Sequence, residues 1–290
     1  MSLKQKTVSG LLWSFVDTFV GQGLTFIVGI ILARILSPRE FGLIGMITVF
    51  TAVSESFINS GFSSALIRKK DCTNIDFSTV FYFNLTAGIL FFLILFFTAP
   101  FIADFFDEPQ LKPIVQVLGI VLIIDSLTLI QRTILTKRID FKLQTRISVI
   151  ASLGSGVIAI VMAYKGFGVW SLVAQRIAKE GLNSIFLWLW NRWKPLLVFS
   201  MQSFRELFGF GSKLLVSGLI DTLYQNIYYL IIGKYFSAQE LGYYTRADGF
   251  QRTPSQSLNG VIGRVSYPVL SSIQDDKPRL KNNYQKLIRS

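Results

Sequence analysis

Long stretches with almost no charged residues recur along this chain and limit what it can fold into. A helix needs about 20 predominantly apolar residues to cross the ~30 Å hydrocarbon layer of a membrane. Such stretches lie at residues 8–32, 79–103, 114–131, 147–164, 167–190 and 207–232, with two weaker ones at 41–67 and 241–270. The 290 residues are also 51% hydrophobic and include 26 Phe. We therefore predict an all-α polytopic membrane protein.

The basic residues fall mostly on one side of this predicted topology. If the N-terminus is cytoplasmic and eight spans alternate, most of the Lys and Arg residues lie in inner segments. The outer segments then hold only Arg34, Arg39, Lys112, Lys165 and Lys234. This asymmetry is typical of membrane insertion, so the net charge of +12 does not indicate nucleic-acid binding.

Residues that carry enzymatic chemistry are scarce. The chain has no His and a single cysteine, Cys72, so neither an internal disulfide nor a common metal pattern is available. There is also no phosphate-binding loop of the GxxxxGK[ST] type. We expect a protein that is not an enzyme and needs no cofactor.

A ten-residue segment occurs twice, as ARILSPREFG at 33–42 and GKYFSAQELG at 233–242. Both copies contain S-x-x-E, a pattern that caps a new helix, and Gly42 aligns with Gly242 without a gap. We therefore predict an internal repeat, with one six-helix lobe over 1–205 and the first two helices of a second lobe over 206–290. The chain is then expected to be the N-terminal part of a protein of about twelve spans. A protein of eight spans is the alternative.

Several charged residues fall near the middle of the predicted spans, where an ionised group is costly. They are Asp17, Glu55, Asp125, Arg176, Lys179, Glu180, Asp221 and Arg252. Spans three and five carry no interior charge and are expected to face lipid. The other helices then share a water-filled cavity, unless the charges pair off structurally, as Arg176 and Glu180 at i, i+4 could. Arg246 and Arg264 are expected to reach the membrane surfaces instead.

The chemistry of these groups indicates an anionic, phosphorylated substrate. Guanidinium and ammonium groups in a low-dielectric cavity suit phosphate oxygens, which makes Arg252, Lys179 and Arg176 the candidate binding residues. The carboxylates Asp17, Glu55, Asp125 and Asp221 could balance those cations or take up H⁺ or Na⁺ as coupling sites. The sequence leaves both roles open.

The motifs as a whole resemble a known transporter family. The opening VSGLLWSFVDTFVGQGLTFIVGIILARILSPREFGLIGMITVF, the QRTILTKRIDFKLQTR loop and the LIIGKYFSAQELGYYTRAD segment resemble oligosaccharide flippases of the Wzx/WzxC type. These belong to the multidrug/oligosaccharidyl-lipid/polysaccharide exporter superfamily. The resemblance implies a multi-pass protein of the bacterial inner membrane that moves undecaprenyl-diphosphate-linked oligosaccharide repeat units by alternating access.

The resemblance also implies a cationic lumen, which maps here onto Arg252, Lys179 and Arg176, and polysaccharide assembly proteins as possible partners. Two departures stand out. Related lipid II flippases carry arginines in the first helix where this chain has Asp17, and the second lobe is incomplete. Three rival interpretations stay open: a cation-coupled multidrug antiporter of the same superfamily, a membrane-embedded polysaccharide polymerase, and a non-transporting scaffold.

Overall fold

The computed structural model describes residues 3–59 and 61–251 and the single positions 267, 270, 271, 281 and 285; side chains at 3–11, 14, 17 and 18 are not described. In this part of the chain the regular structure is helical. The helices are α1 (Leu3–Ile35), α2 (Pro38–Asn59), α3 (Phe62–Arg68), α4 (Asn74–Phe106), α5 (Leu111–Leu118), α6 (Ile120–Lys137), α7 (Phe141–Tyr164), α8 (Val169–Asn191) and α9 (Met201–Tyr235). A further helix, α10, runs over the described residues 238–251.

The helices confirm the all-α membrane fold. Among the described residues, four stretches are long and apolar enough to cross a membrane: Pro38–Arg68, Asn74–Phe106, Leu111–Lys137 and Phe141–Tyr164. α8 and α9 occupy two further predicted spans but carry more charge. The chain is therefore a multi-pass membrane protein.

Two predicted spans are not single helices. The span expected at 41–67 is divided into α2 and the short α3, with Gly61 in the left-handed region at φ 67°. A Cβ at Gly61 would lie 2.5 Å from the Gly211 carbonyl oxygen of α9, so this turn also needs glycine for close helix approach. In the span expected at 114–131, only the regular helical hydrogen bonding is interrupted, at Gly119 between α5 and α6, and Gly119 keeps helical dihedral angles.

Both copies of the repeated segment start a helix, as their capping pattern predicts. The backbone N–H of Ser37 donates to Glu40 Oε2 over 2.6 Å. In the second copy the Ser237 N–H donates to Glu240 Oε2 over 3.2 Å, and the Glu240 N–H donates back to Ser237 Oγ over 3.1 Å. The second copy thus forms a complete capping box at the start of α10.

The two copies of the repeat also meet each other in space. A Cβ added to Gly42 would lie 1.6 Å from the carbonyl oxygen of Ala238, and one added to Gly242 would lie 1.8 Å from that of Pro38. Ala238 is the repeat counterpart of Pro38, so each copy makes the same contact on the other. Such reciprocity is what a two-fold axis produces, here between the two copies of the repeated segment. We call this contact the outer crossing, after the side of the membrane on which the sequence predicts it.

The outer crossing defines one end of the bundle, the outer end. Close to it, Lys234 Nζ of α9 contacts Asp107 Oδ2 over 3.1 Å, and Arg39 Nη2 contacts Glu108 Oε2 over 2.6 Å. The opposite end, which we call the inner end, carries the loops at 69–73 and 192–200. The two predicted lobes are also in contact at this end. Lys69 Nζ bridges Asp76 Oδ1 at 3.2 Å and Glu206 Oε2 at 2.8 Å. Burial lowers the pKa of Lys69, but these two hydrogen bonds outweigh burial and hold that pKa above its ordinary value.

Helix packing is extensive both within the predicted first lobe and across the seam between that lobe and α9. Within the first lobe, α7 packs against both α1 and α8, and α6 packs against α4 and α8. Across the seam, α9 lies along α2 and also contacts α3 and α4. In the middle of the seam, Ser56 Oγ and Thr222 Oγ1 share a hydrogen bond of 2.9 Å. The boundary between the lobes at 205 and 206 stays a prediction.

Candidate functional site

A cavity of about 350 Å³ lies on the inner side of the outer crossing, between α1, α2, α7, α8, α9 and α10. Its polar lining residues are Thr25, Thr48, Ser152, Ser155, Gln175, Arg176, Lys179, Tyr229, Thr245 and Arg246. Ser152 and Ser155 come from α7, so the expectation that span five only faces lipid is wrong. The prediction for span five rested on its lack of charged residues. It missed these two serines because a hydroxyl group is polar but uncharged.

Arg246 is the basic residue of this cavity that sequence reasoning placed elsewhere. Its guanidinium carbon lies 3.3 Å from the centre of the Phe41 ring, and its Nε is buried without a hydrogen-bond partner in the described part of the chain. Gly29 of α1 leaves room for it, since a Cβ there would lie 3.4 Å from Nη1. Arg246 therefore projects into the cavity, and the expectation that it reaches the membrane surface is wrong.

The repeat contained a signal for Arg246. Gly242 faces the first lobe at the outer crossing, and Arg246 follows it by four residues, which is one helical turn on the same face of α10. The start of α10 at its capping box fixes this phase. The midpoint of a predicted span gives only the depth of a residue in the membrane and not the side of the helix on which it lies.

Lys179 lies where three hollow regions meet. It lines the main cavity and a neighbouring one of about 370 Å³ between α1 and α10, which it shares with Arg246. It also lines a smaller one of about 220 Å³ within the first lobe, with Arg132, Glu180 and Asn183. The apolar side chains Phe26, Ile30 and Phe250 line the α1–α10 side. Cavities lined by polar residues thus extend from the interior of the first lobe to the apolar side chains between α1 and α10.

Arg176 makes its ion pair with another helix rather than with Glu180. Its Nη2 contacts Glu55 Oε1 of α2 over 2.8 Å, and the Arg176 side chain keeps an exposed fraction of 50%. The alternative of a self-contained pair within α8 is therefore not what this structure shows. The ion pair joins α8 to α2 on the wall shared by the main cavity and a smaller one.

Two further carboxylates lie within electrostatic reach of that ion pair. The carboxylate of Asp125, on α6, lies within range of charge–charge interaction with Glu55, Glu180, Arg176 and Arg132. If all were ionised, the three carboxylates would carry three negative charges, opposed by Arg176 and, beside Asp125 and Glu180, by Arg132 and Lys179. We call Glu55, Asp125, Glu180 and Arg176 the acidic cluster. Uptake of a proton or a small cation by one of its carboxylates would change the charge balance with these basic groups.

The other predicted site residues lie elsewhere. Asp221 is exposed on α9 and accepts a hydrogen bond of 2.7 Å from Gln225 Nε2, and it is not among the lining residues of the cavity that contains Lys179. The expected shared void therefore does not include it. Asp17 belongs to α1, but its side chain is not described, and Arg252 and Arg264 lie outside the described residues.

On the side of the cavity formed by α9 and α10, a tyrosine hydroxyl is hydrogen-bonded to a carboxylate. Tyr229 of α9 donates from its hydroxyl to Asp248 Oδ2 of α10 over 2.7 Å, and Tyr229 lines the cavity. Among the described residues, no group of three His, Cys, Asp or Glu side chains is arranged to hold a metal ion.

The cavity belongs to a chain with recognisable relatives. A family profile described as "Polysaccharide biosynthesis protein" matches residues 31–290. The chain belongs to this family. The lipopolysaccharide biosynthesis protein WzxC of Escherichia coli (strain K12) is 26% identical over 290 residues, which cover 99% of this chain and 59% of that protein. The teichuronic acid biosynthesis protein TuaB of Bacillus subtilis (strain 168) is 27% identical over 93% of this chain and 56% of that protein.

A third relative carries a transport name. The succinoglycan biosynthesis transport protein ExoT of Rhizobium meliloti (strain 1021) is 26% identical over 92% of this chain and 54% of that protein. The chain spans a little over half the length of these three relatives.

Solved structures support the fold. A crystal structure of MATE in complex with MaD3S matches with a TM-score of 0.71 at 14% identity, covering 100% of this chain and 70% of that one. An inward-facing multidrug resistance MATE family transporter of the MOP superfamily matches with a TM-score of 0.58 at 13% identity, covering 97% and 66%. At such identities the match shows the fold alone. This chain therefore shares the helical architecture of these two transporters.

Proposed function

We propose that this chain forms the substrate-binding lobe, and the start of the opposing lobe, of a flippase for undecaprenyl-diphosphate-linked oligosaccharide repeat units. The observation that carries the proposal is the convergence of Arg176, Lys179 and Arg246 on one cavity at membrane depth. Arg and Lys are the side chains suited to diphosphate oxygens. The names of WzxC, TuaB and ExoT, which refer to polysaccharide biosynthesis and transport, support the same substrate class.

The lining of the cavity fits the two chemical parts of such a substrate. Hydroxyl and amide groups, including Thr48, Ser155 and Gln175, are suited to the hydroxyls of sugars. The apolar border at Phe26 and Phe250, on the α1–α10 side, suits the polyprenyl chain. Translocation by alternating access then requires the outer crossing to open, and it requires no bond to be formed or broken.

The acidic cluster supplies a candidate site for ion coupling. Uptake of H⁺ or Na⁺ by Glu55, Asp125 or Glu180 would neutralise a negative charge in the cluster, and loss of the Glu55 charge would release Arg176 toward an anionic substrate. Coupling is tested in proteoliposomes of the whole protein with imposed H⁺ or Na⁺ gradients. Glu55→Gln is expected to abolish stimulation by the coupling gradient. Equal stimulation of Glu55→Gln and wild type would remove the cluster from the coupling step.

The binding role is tested in a bacterial strain that lacks its own flippase. Expression of the whole protein is expected to restore surface polysaccharide, whereas Arg246→Gln and Lys179→Gln are expected to lower it at least ~10-fold, because charge-assisted contacts to phosphate are lost. Lys165→Gln is the matched control, since Lys165 lies exposed in the outer connection between α7 and α8. Unchanged polysaccharide in both cavity variants would contradict the proposal. Loss of drug efflux alone would favour the multidrug antiporter instead.

The orientation and location follow the same proposal. The inner end carries Lys69, Lys70, Lys137, Arg192 and Lys194, so we place it and the N-terminus in the cytoplasm of a bacterial inner membrane. Single cysteines are introduced in a Cys72→Ser background at Asp71 and Gln110, which are exposed at opposite ends. An impermeant thiol reagent added to intact spheroplasts should label only Gln110→Cys, and the reverse pattern would invert the topology. Binding of polysaccharide assembly proteins is part of the proposal that only a partner search can test.

A further inference from the structure

The segment at 192–200 joins α8 to α9 outside any helix and exposes four consecutive apolar residues. We call it the interlobe linker. The exposed fractions are 44% for Leu196, 94% for Leu197, 46% for Val198 and 48% for Phe199. A run of four exposed apolar side chains on a loop marks an interaction surface rather than an ordinary solvated connection.

The interlobe linker is held in place by buried polar groups on two helices. The Leu196 N–H donates to Ser78 Oγ over 2.9 Å, and the Ser200 N–H donates to Thr79 Oγ1 over 3.0 Å. Ser78 and Thr79 are fully buried on α4. Where the linker begins, Gln131 Nε2 of α6 donates to the Trp193 carbonyl over 3.0 Å. The apolar side chains are thus presented outward from a fixed backbone.

The attachment to α4 gives the linker a depth in the membrane. α4 spans Asn74–Phe106, so its midpoint is Leu90. At a rise of ~1.5 Å per residue, Ser78 and Thr79 lie roughly 17–18 Å from the bilayer centre when α4 is centred. The hydrocarbon core ends about 15 Å from the centre, and the headgroup layer extends to about 20–22 Å. The interlobe linker therefore lies at the boundary between acyl chains and headgroups.

The residues around the linker fit that layer. Trp190, at the end of α8, is 41% exposed, and Trp is enriched at membrane interfaces. Arg192 and Lys194 are exposed at the start of the linker, where anionic headgroups attract basic side chains.

We propose that the interlobe linker is a membrane-interface anchor. Leu197 and Phe199 insert among the acyl chains of the inner leaflet, and Arg192 and Lys194 contact anionic phospholipid headgroups. The connection between the two lobes is then attached to the bilayer surface as well as to α4. This surface is separate from the cavity and does not depend on the proposed substrate.

The depth of position 197 tests the proposal. Leu197→Cys in a Cys72→Ser background is labelled with the environment-sensitive fluorophore NBD, and the whole protein is reconstituted into vesicles of phosphatidylethanolamine and phosphatidylglycerol. We expect a blue-shifted emission, strong quenching by lipids brominated near the glycerol end of the acyl chains, and at least ~3-fold less quenching by aqueous iodide than at Asp71→Cys, because iodide does not enter the acyl region. Asp71 is the control because it is exposed in the loop at the same end.

Each other outcome decides against the anchor. Iodide quenching equal to that at Asp71→Cys would place position 197 in water. Protection from both iodide and brominated lipids would show that protein covers position 197. If this protection decreases when the protein is diluted with lipid, the covering protein is a second copy of the chain. For the headgroup contact, lowering phosphatidylglycerol to zero should increase quenching by the uncharged quencher acrylamide in the wild-type linker but not in Arg192→Gln/Lys194→Gln. Equal responses of the wild-type linker and the double variant would contradict the proposed contact of Arg192 and Lys194 with anionic headgroups.

Discussion

Arg176 and Glu55 show why single charged residues in this protein cannot be interpreted from their own helix. Within α8, Glu180 has the spacing of a partner for Arg176, but the guanidinium instead contacts Glu55 of α2 over 2.8 Å. Helix spacing reports only which residues share a face. Which neighbour faces them depends on packing, here that of α8 against α2.

The Arg176–Glu55 pair should show energetic coupling in a double-mutant cycle. Arg176→Gln and Glu55→Gln are each expected to lower thermal stability, and the double variant should lose less than the sum. Because Arg176 is 50% exposed, we expect a modest coupling energy of roughly 0.5–1.5 kcal/mol. Thermal unfolding in one detergent at one salt concentration measures it. Strictly additive losses would mean that the contact contributes no coupling.

Cys72 should be an unreactive thiol at neutral pH. Burial raises its pKa above the ordinary value, and the hydrogen bond from Lys137 Nζ, at 3.0 Å from Sγ, only partly opposes this. A raised thiol pKa means less thiolate, which is the reactive form, at any pH below that pKa. Maleimide labelling at pH 7 should therefore be several-fold slower at Cys72 than at Asp71→Cys in Cys72→Ser. The Cys72 rate should still increase at a pH where the control levels off; parallel profiles would contradict the assignment.

At the scale of elements, hydropathy predicted helices well but not their breaks. Six apolar stretches correspond to α1, α4, α5–α6, α7, α8 and α9, because crossing lipid allows few other structures. The division between α2 and α3 depends on contact between Gly61 and Gly211, which are 150 residues apart in sequence. The cavity was predictable from mid-depth charge. Its hydroxyl lining and the inward position of Arg246 were not, because both depend on helix rotation.

The outer crossing makes a sharp prediction for Gly42. A Cβ at this position would lie 1.6 Å from the Ala238 carbonyl oxygen, so Gly42→Ala must push α2 and α10 apart. We expect a lower unfolding temperature and increased labelling of Thr48→Cys, in a Cys72→Ser background, by an impermeant reagent from the outside. Thr48 lines the cavity on the inner side of the crossing.

Gly23→Ala is the matched control for Gly42→Ala. Both positions are helical, but in the described part of the chain no atom outside the adjacent backbone of α1 lies within 4 Å of a Cβ at Gly23. Replacing a helical glycine there should leave stability unchanged or raise it by up to ~1 kcal/mol, through helix propensity. If both variants label and unfold alike, the outer crossing is not the closure of the cavity.

For the whole molecule, the contacts between the lobes are unequal on the two sides of the cavity. On one side, α9 follows α2 and α3 along the full length of the bundle, from Gly233 beside Met46 to Gly211 beside Gly61. On the other side, α1 and α10 touch through Phe26 and Phe250, with ring centres 5.1 Å apart, next to open space. A rocking motion that exposes the cavity should therefore open the outer crossing and the α1–α10 side, while the part of the α2–α9 seam around Ser56 and Thr222 stays closed.

A disulfide across the seam tests this division. Ser56 Oγ and Thr222 Oγ1 are 2.9 Å apart, so Ser56→Cys/Thr222→Cys in a Cys72→Ser background places two sulfurs within bonding reach. If the seam is a hinge that stays packed, the oxidised whole protein should keep at least about half of the transport of its reduced form, because hinge residues do not separate during closure. Each single cysteine variant, oxidised in the same way, is the control for damage by the oxidant. Transport that stops on oxidation and returns on reduction would instead make the α2–α9 seam a surface that must open, and the hinge would then have to lie elsewhere.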